Sequence, residues 1–154
     1  MPPTLRSLAS WDTFLCRLYA SRSLDELATA VLAEAPRRVG GIHTSFNALA
    51  PSVARARVWM DAGDDPPRLE RLFAAHMHEH PAVRNFLETG DPGTHAISEF
   101  ASARELEATG LYQRLYRELG IRDQMGFCLG PPGRETFALA IGRERRSFTA
   151  ADRC

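Results

Sequence analysis

Hydrophobic residues recur at helical spacing over the first 40 positions of the chain. The segment Leu8–Tyr19 carries an apolar side chain every three or four residues, which predicts a helix with one apolar face. A second helix is expected to begin at Ser23, because Ser23 and Glu26 have the spacing of a capping box. Pro36 and the glycines at 40–41 are expected to end this second helix.

The apolar period then shortens to two, which is typical of strands. Residues 43–49 and 53–60 form two such runs with a short Ala-Pro-Ser connection between them, and they predict an antiparallel hairpin. Side chains alternate between the faces of a strand, so the second run places Arg55, Arg57 and Trp59 on one face.

Helical and extended patterns alternate again in the middle of the chain. Residues 69–77 and 81–87 have helical spacing, and residues 97–100 are expected to form a weak strand or the end of one. Ser102 begins a second capping box, and residues 111–120 predict a helix that a glycine closes.

Two further strands are expected near the end, at 124–129 and 136–141, joined by a Pro-Pro-Gly turn at 131–133. Bulky residues occupy alternate positions of both strands. The positions between them carry Gln, Gly, Cys, Thr and Ala, and this face of mostly small side chains indicates that another group packs closely against it.

The last residues have the pattern of a helix start. Thr149 is suited to be its N-cap, and Asp152 favours the positive end of a helix dipole. Because few residues follow, we expect either a longer protein cut here or a naturally shortened one. Residues 1–154 are interpreted as a single α+β domain, with a central antiparallel sheet flanked by helices.

The composition excludes several functions. The chain has 154 residues and zero net charge, and all 19 of its basic residues are Arg. Without Lys, neither a P-loop nor a Schiff-base enzyme is possible. The balanced charge argues against direct nucleic-acid binding. Three cysteines without framework spacing predict a reducing, cytoplasmic location, and no apolar run is long enough for a membrane span.

Two patterns suggest catalysis or metal binding but fit poorly. Cys128 lies in a G-x-C-x-G sequence, yet the strand pattern runs straight through it and prolines prevent a helix directly afterwards. His76 and His80 share a helical face, whereas His78 points elsewhere, and the zinc-protease signature is absent. We therefore expect no catalytic residues, no metal and no cofactor; a Cys128-dependent hydrolase is the third hypothesis for the function.

Aromatic and basic residues on the expected strands and on the helix before the last hairpin form the candidate ligand site. A sheet face covered by Tyr-bearing helices is suited to enclose a small polar-aromatic molecule. Pocket walls and cores share this composition, so the alternative is a structural dimerisation domain with a filled core. The candidate residues are Phe46, Arg57, Trp59, Phe100, Tyr112, Tyr116 and Phe127.

Four segments resemble the sensory domains of LuxR-type helix-turn-helix transcription regulators. The most specific is Leu111–Met125, which is similar to an LYxxLYRxLGIxDQ stretch of that family. The others are His78–Pro81, Ile97–Phe100 and Arg145–Arg153. The resemblance spans about residues 8–153 and implies a GAF-like or PAS-like sensory fold.

The resemblance also sets the functional expectations. In that family the segment similar to Ser147–Arg153 begins a long helix that leads to a DNA-binding module. These 154 residues do not include such a module, so DNA binding is not carried over. The GAF signature for cyclic nucleotides contains a Lys and cannot occur here. We expect a non-enzymatic sensor that binds a small molecule or a partner, acts as a homodimer and signals through its terminal helix.

Overall fold

One antiparallel sheet with helices on both faces organises the chain. The structure, a computed structural model, describes residues 5–49, 56–60, 65–131, 134–145, 148–149 and 152. Within them the helices are α1 (Leu5–Ala20), α2 (Leu24–Val39), α3 (Pro66–His76), α4 (Pro81–Thr89) and α5 (Ala103–Glu107). The strands are β1 (His43–Leu49), β2 (Ala56–Met60), β3 (His95–Ala96), β4 (Asp123–Leu129) and β5 (Thr136–Arg143).

The sheet has the strand order β2-β1-β5-β4-β3, and all neighbouring strands are antiparallel. Both predicted hairpins are confirmed by this order. The register aligns Trp59 with Phe46, Phe46 with Leu139, and Leu139 with Phe127. Because residues directly opposite each other share a face, this row of bulky side chains lies on one side of the sheet. The predicted α+β class is thereby confirmed.

The two faces of the sheet are covered by different helices. On the side of the bulky row, α1 and α2 pack through buried residues that include Ala28 and Val31. On the opposite side lie α3, α4 and a turn at Tyr112–Tyr116, with a core that contains Leu69 and Leu111. The sheet therefore separates two apolar layers.

The second helix does not end at Pro36, so that part of the prediction is wrong. Pro36 lies within α2, which continues to Val39. Proline lacks the N–H that a helix uses, but near the C-terminus one missing donor is tolerated because Gly40 closes the helix. Its N–H donates to the Pro36 carbonyl over 3.0 Å, at a φ of 74°. At the other end, Ser23 caps α2 as expected.

Residues 97–100 are not a strand, although the short β3 directly precedes them. Ile97–Glu99 form a 3₁₀ turn instead. The physical reason is the carboxylate of Asp123, which accepts hydrogen bonds from the Ser98 backbone N–H at 3.1 Å and from its hydroxyl at 2.7 Å. The backbone donor of Ser98 is therefore committed to this side chain and does not enter a strand ladder.

The helix expected at 111–120 contains a π-helical turn at Tyr112–Tyr116. The Arg117 N–H donates to the carbonyl five residues earlier, on Tyr112, over 2.8 Å. Such wide turns are frequent at functional sites. The buried side chains of this turn are Tyr112, Leu115 and Tyr116.

Parts of the sequence predictions lie outside the described residues. These are Arg55, the connection between β1 and β2, and part of the turn at 131–133. Within the described part of the chain, no helix has the length and apolar character needed to cross a membrane.

We predict that Asp123→Ala lowers the free energy of unfolding by about 1–3 kcal/mol, because it removes three hydrogen bonds to a buried carboxylate. Asp123 has no exposed surface and also accepts from the Gln124 N–H at 3.0 Å. Urea unfolding of Asp12→Ala, at an exposed position of α1, provides the matched control. Equal stability of the two variants would contradict an anchoring role for Asp123.

Candidate functional site

A cavity of about 70 Å³ lies between the sheet and the helical layer of α3, α4 and the π turn. Its floor is the small-residue face of β4 and β5, where Gly126, Cys128, Ala138 and Ala140 are among the lining residues. A Cβ atom at Gly126 would come within 2.6 Å of the Leu139 carbonyl oxygen, so this position also needs glycine for the close approach of the strands.

A neutral hydrogen-bond network forms one wall of the cavity. The side-chain oxygen of Gln124 accepts from the Tyr116 hydroxyl at 2.8 Å and pairs with His80 Nε2 at 2.9 Å. His80 Nδ1 accepts from the Val83 N–H at 3.3 Å, which makes His80 the N-cap of α4. We assign the proton of the ring to Nε2 from these partners, so His80 donates to Gln124.

Burial keeps both titratable members of this network uncharged. His80 is 5% exposed and Tyr116 is 2% exposed. Removal from water lowers the pKa of His80 below its ordinary value of 6.5 and raises the pKa of Tyr116 far above its ordinary value of 10.0. The network therefore presents no charge to the cavity at neutral pH.

Two polar residues of β1 also line the cavity, on the same face of the sheet as Gln124. The Asn47 amide donates to the Ser45 hydroxyl over 3.0 Å, and both side chains line the cavity. Asn47 is 4% exposed, and its side-chain amide is among the polar groups that line the cavity. A ligand or water in the cavity can form hydrogen bonds with such a group.

A charged group is found at the edge of the cavity rather than inside it. His95 lies between two carboxylates, with Nε2 2.9 Å from Asp91 and Nδ1 3.3 Å from Glu99. The pKa of Asp91 is lowered, chiefly by the backbone N–H of Gly93 and then by His95. The ring of Phe100 stacks at a tilt against His95 with centroids 5.2 Å apart.

The seven residues predicted to bind a ligand lie in different parts of the structure. Tyr116 lines the cavity, and Tyr112 is buried in the adjoining core. Phe100 is 40% exposed at the surface. On the other side of the sheet lie Phe46, Arg57 and Trp59. Phe127 shares their face by register, but it is also among the residues that line the cavity. The seven therefore do not line one common site, and their contact with a ligand stays a prediction.

Arg57 and Trp59 connect strand β2 to helix α2. Both donate to the Asp25 carboxylate at 2.8 Å, and the Arg57 guanidinium stacks over the Trp59 ring at 4.4 Å. They fix the first turn of α2 to the edge strand β2.

Phe46 and Phe127 belong to a larger apolar groove of about 440 Å³, on the same side as α1 and α2. Its walls come from both helices and from β4 and β5, and Trp11 and Leu129 are among its lining residues. Asp152, which follows β5, also lines this groove.

Sequence reasoning missed the polar groups that face the cavity: Asn47, His80 and Gln124. One signal was present, since the small side chains at alternate positions of β4 and β5 indicated a close approach on that face. Gln124 begins the small-residue row, so the same alternation could have identified it. Nothing in the local pattern indicates that His80 reaches Gln124, because 44 residues separate them.

The two chemistries that fitted the sequence poorly are not supported by the geometry. Burial raises the pKa of the Cys128 thiol to about 11, which disfavours the nucleophilic thiolate, and no described histidine hydrogen-bonds to it. His76 instead contacts Glu79 at 2.7 Å, and His78 is largely exposed. Among the described residues, no group of three or more His, Cys, Asp or Glu is placed to hold a metal ion.

Comparisons with solved structures identify the fold. The VqsR LBD domain from Pseudomonas aeruginosa is similar over 93% of this chain and 85% of that chain, with a TM-score of 0.71 and 15% identity. CepR2 from Burkholderia cenocepacia, an N-acylhomoserine lactone-dependent LuxR family transcription factor, is similar over 94% and 83%, with a TM-score of 0.64 and 10% identity.

SdiA from Escherichia coli is similar over 92% of this chain and 58% of that chain, with a TM-score of 0.53 and 17% identity. Its complex with octanoyl-rac-glycerol gives a TM-score of 0.51 at 18% identity, over 99% and 61%. No protein-family model and no curated protein matches the sequence. The chain thus has the α+β fold of these LuxR-type proteins, and its GAF-like character stays a prediction.

We predict that stability decreases as the pH falls from about 7 to about 5, where the unfolded chain binds a proton that buried His80 does not. One such proton changes the free energy of unfolding by at most about 1.4 kcal/mol per pH unit. His80→Asn keeps a capping side chain and removes this titration, so the slope becomes smaller.

Urea midpoints across this pH range measure the slope. His78→Asn serves as the control because His78 is 67% exposed. The pKa values of Glu79 and Asp91 are lowered, so these carboxylates remain charged in the same range. A wild-type slope in His80→Asn would show that another group causes the effect.

Proposed function

We propose that the chain is a non-enzymatic sensory domain of a LuxR-type regulator, and that it binds a small neutral amphipathic molecule in the cavity beside Tyr116. The observation that carries this proposal is a largely apolar cavity with two side-chain amides, Asn47 and Gln124, among its lining residues. Both amides belong to the same face of the sheet. A ligand with one polar group and an apolar remainder matches this arrangement.

The electrostatics favour a neutral ligand over an anion or a cation. No lysine or arginine is among the described residues that line the cavity, and Asp91 is the single carboxylate, close to its paired His95. An anion that lost its water here would have no Lys or Arg as counter-ion, and the one carboxylate available to a cation, Asp91, already contacts His95. The uncharged state of His80 and Tyr116 adds to this selectivity.

The size of the cavity predicts that binding widens it. A volume of about 70 Å³ lies well below the roughly 300–1,000 Å³ typical of sites for drug-sized ligands. Met60 and Phe73 line the cavity and are only partly buried. The methionine side chain is flexible, so we expect Met60 and Phe73 to move outwards when a ligand binds.

The route from the cavity to an output passes through the strands. Cys128 and Ala138 line the cavity, Phe137 lines the groove on the other side of the sheet, and Phe127 lines both. A ligand that displaces β4 or β5 therefore also moves the groove wall. We propose that this movement reaches the segment after β5.

That segment is held by Arg143 at the end of β5. The guanidinium forms a two-point pair with Asp152 at 2.8 and 3.2 Å and donates to the Val39 carbonyl at 2.6 Å. Asp152 in turn accepts from the Thr149 N–H and hydroxyl, as expected for a helix start. A shift of β5 is thus transmitted directly to the turn that the sequence interprets as the beginning of the terminal helix.

We predict that a neutral octanoyl compound stabilises the domain, since a ligand at 100 times its Kd adds about 2.7 kcal/mol. Octanoyl-rac-glycerol and an octanoyl homoserine lactone are the probes, and octanoate is the charged control of equal chain length. Thermal unfolding with increasing probe concentration measures the effect.

Ala140→Leu fills the floor of the cavity and should abolish the stabilisation, whereas Ala33→Leu, at an exposed position of α2 outside the cavity, should retain it. Equal stabilisation by octanoate would contradict the neutral site. Unchanged binding by Ala140→Leu would place the ligand elsewhere. No stabilisation by either neutral probe would favour the alternative, a structural dimerisation domain without a ligand.

A further inference from the structure

The segment between α4 and β3 lies at the edge of the cavity. Asp91, Gly93 and His95 of this segment are among the residues that line the cavity. Residues 90–94 have neither helical nor strand structure, and their link to the sheet is the two-residue pairing of β3 with β4. At the other end, Gly90 closes α4 at a φ of 71°. Segments with so few backbone hydrogen bonds open more easily than the core elements around them.

A bridge of side chains holds this segment together. His95 Nε2 lies 2.9 Å from Asp91, and His95 Nδ1 lies 3.3 Å from Glu99 in the 3₁₀ turn that follows. Asp91 also accepts from the Gly93 N–H at 2.8 Å. A Cβ atom at Gly93 would come within 2.9 Å of Asp91 Oδ1 and 3.0 Å of His95 Nε2, so glycine permits this close approach.

The bridge depends on the number of protons on His95. A neutral imidazole carries a proton on one nitrogen, and its other nitrogen is an acceptor. Because both ring nitrogens face carboxylate oxygens, both contacts are hydrogen bonds only when the ring is an imidazolium. The charged partners of the ring among the described residues are Asp91 and Glu99, whereas its neighbours Phe100 and Gly126 of β4 are uncharged.

We propose that residues 90–95 form a lid over the entrance of the cavity, and that His95 closes this lid only while both of its ring nitrogens carry a proton. With a neutral ring one of the two contacts is lost, so the lid opens more often. Access to the cavity therefore increases with pH. The value of the lid for a ligand rests on the proposed function, whereas the opening itself is measured on the protein alone.

Cys128 provides a probe of the opening that needs no ligand. Its side chain lines the cavity and is partly buried. Methyl methanethiolsulfonate is small and uncharged, and it labels Cys128 alone in a parent protein with Cys16→Ser and Cys154→Ser; mass spectrometry measures the rate. The reactive thiolate becomes more abundant with pH in every variant, so the informative quantity is the ratio of variant to parent at one pH.

His95→Asn removes the ring that completes the bridge. It should raise the labelling rate about three- to fivefold at pH 5.5, the range expected for a partly exposed ion pair. At pH 8.5 the ratio should approach one, because the neutral ring of the parent no longer completes the bridge. A purely structural role of His95 would give the same ratio at both pH values. His78→Asn is the matched control, since His78 is 67% exposed, and it should leave the rate unchanged.

Glu99→Gln tests the other end of the bridge. It keeps an oxygen for the Ala96 N–H, which Glu99 binds at 2.7 Å, and it should also raise the rate at pH 5.5. Circular dichroism verifies that the variants are folded. Rates that stay unchanged in both variants overturn the lid, as does a ratio for His95→Asn that is independent of pH.

The ligand is tested separately. Octanoyl-rac-glycerol should associate faster with His95→Asn than with the parent at pH 5.5, and stopped-flow tryptophan fluorescence measures this rate. An equal rate in the two proteins would overturn the lid as the entrance of the cavity. Absence of binding to either protein would contradict the proposed function, and the labelling of Cys128 would still decide whether the lid opens.

Discussion

The alternation of bulky and small side chains along β4 and β5 is the constraint on which the rest of the structure depends. Phe127, Phe137 and Leu139 point towards α1 and α2, and they help to form that layer. The positions between them are Gly, Cys and Ala, so the opposite helical layer cannot fill the space above the sheet completely. Because strand geometry allows no intermediate orientation, one pair of strands produces a packed side and a side with a cavity.

Two consecutive residues at the start of β4 join distant segments of the chain around this cavity. Asp123 holds Ser98 and thereby the turn after β3, whereas Gln124 holds Tyr116 and His80. Three of the segments that carry the family resemblance therefore meet at this one place. The fourth contacts Arg143, which lies directly opposite Asp123 in the neighbouring strand β5. The segments that carry the resemblance are thus linked by part-buried hydrogen bonds in the folded chain.

Local patterns predicted most elements of the fold but only part of the candidate site. Helix caps such as Ser102 and the two-residue period of β4 depend only on neighbouring residues, so these helices and strands can be predicted from the sequence. Residues 97–100 were predicted wrongly because Asp123, 25 positions away from Ser98, captures their backbone. The residues predicted to form the candidate site lie in separate places for a similar reason, because contacts between distant parts of the chain decide their positions. Periodicity shows that Trp59 and Tyr116 both lie on apolar faces, but the strand order decides that these faces belong to opposite sides of the sheet.

The small volume of the cavity supports a ligand-driven switch between a narrow state and a widened state of the domain. A ligand can shift an equilibrium between two states only by the difference between its affinities for them, and a shift from 1:99 to 99:1 needs about 5.5 kcal/mol. An octanoyl chain does not fit into a cavity of about 70 Å³, so the narrow state excludes it. The widened state then takes nearly all of the ligand, and the shift equals RT ln(1 + [L]/Kd), where Kd belongs to the widened state, so 5.5 kcal/mol needs a free ligand concentration of about 10,000 times this Kd. On the proposed function, a ligand that moves β5 and the turn that Arg143 holds must therefore bind the widened state tightly.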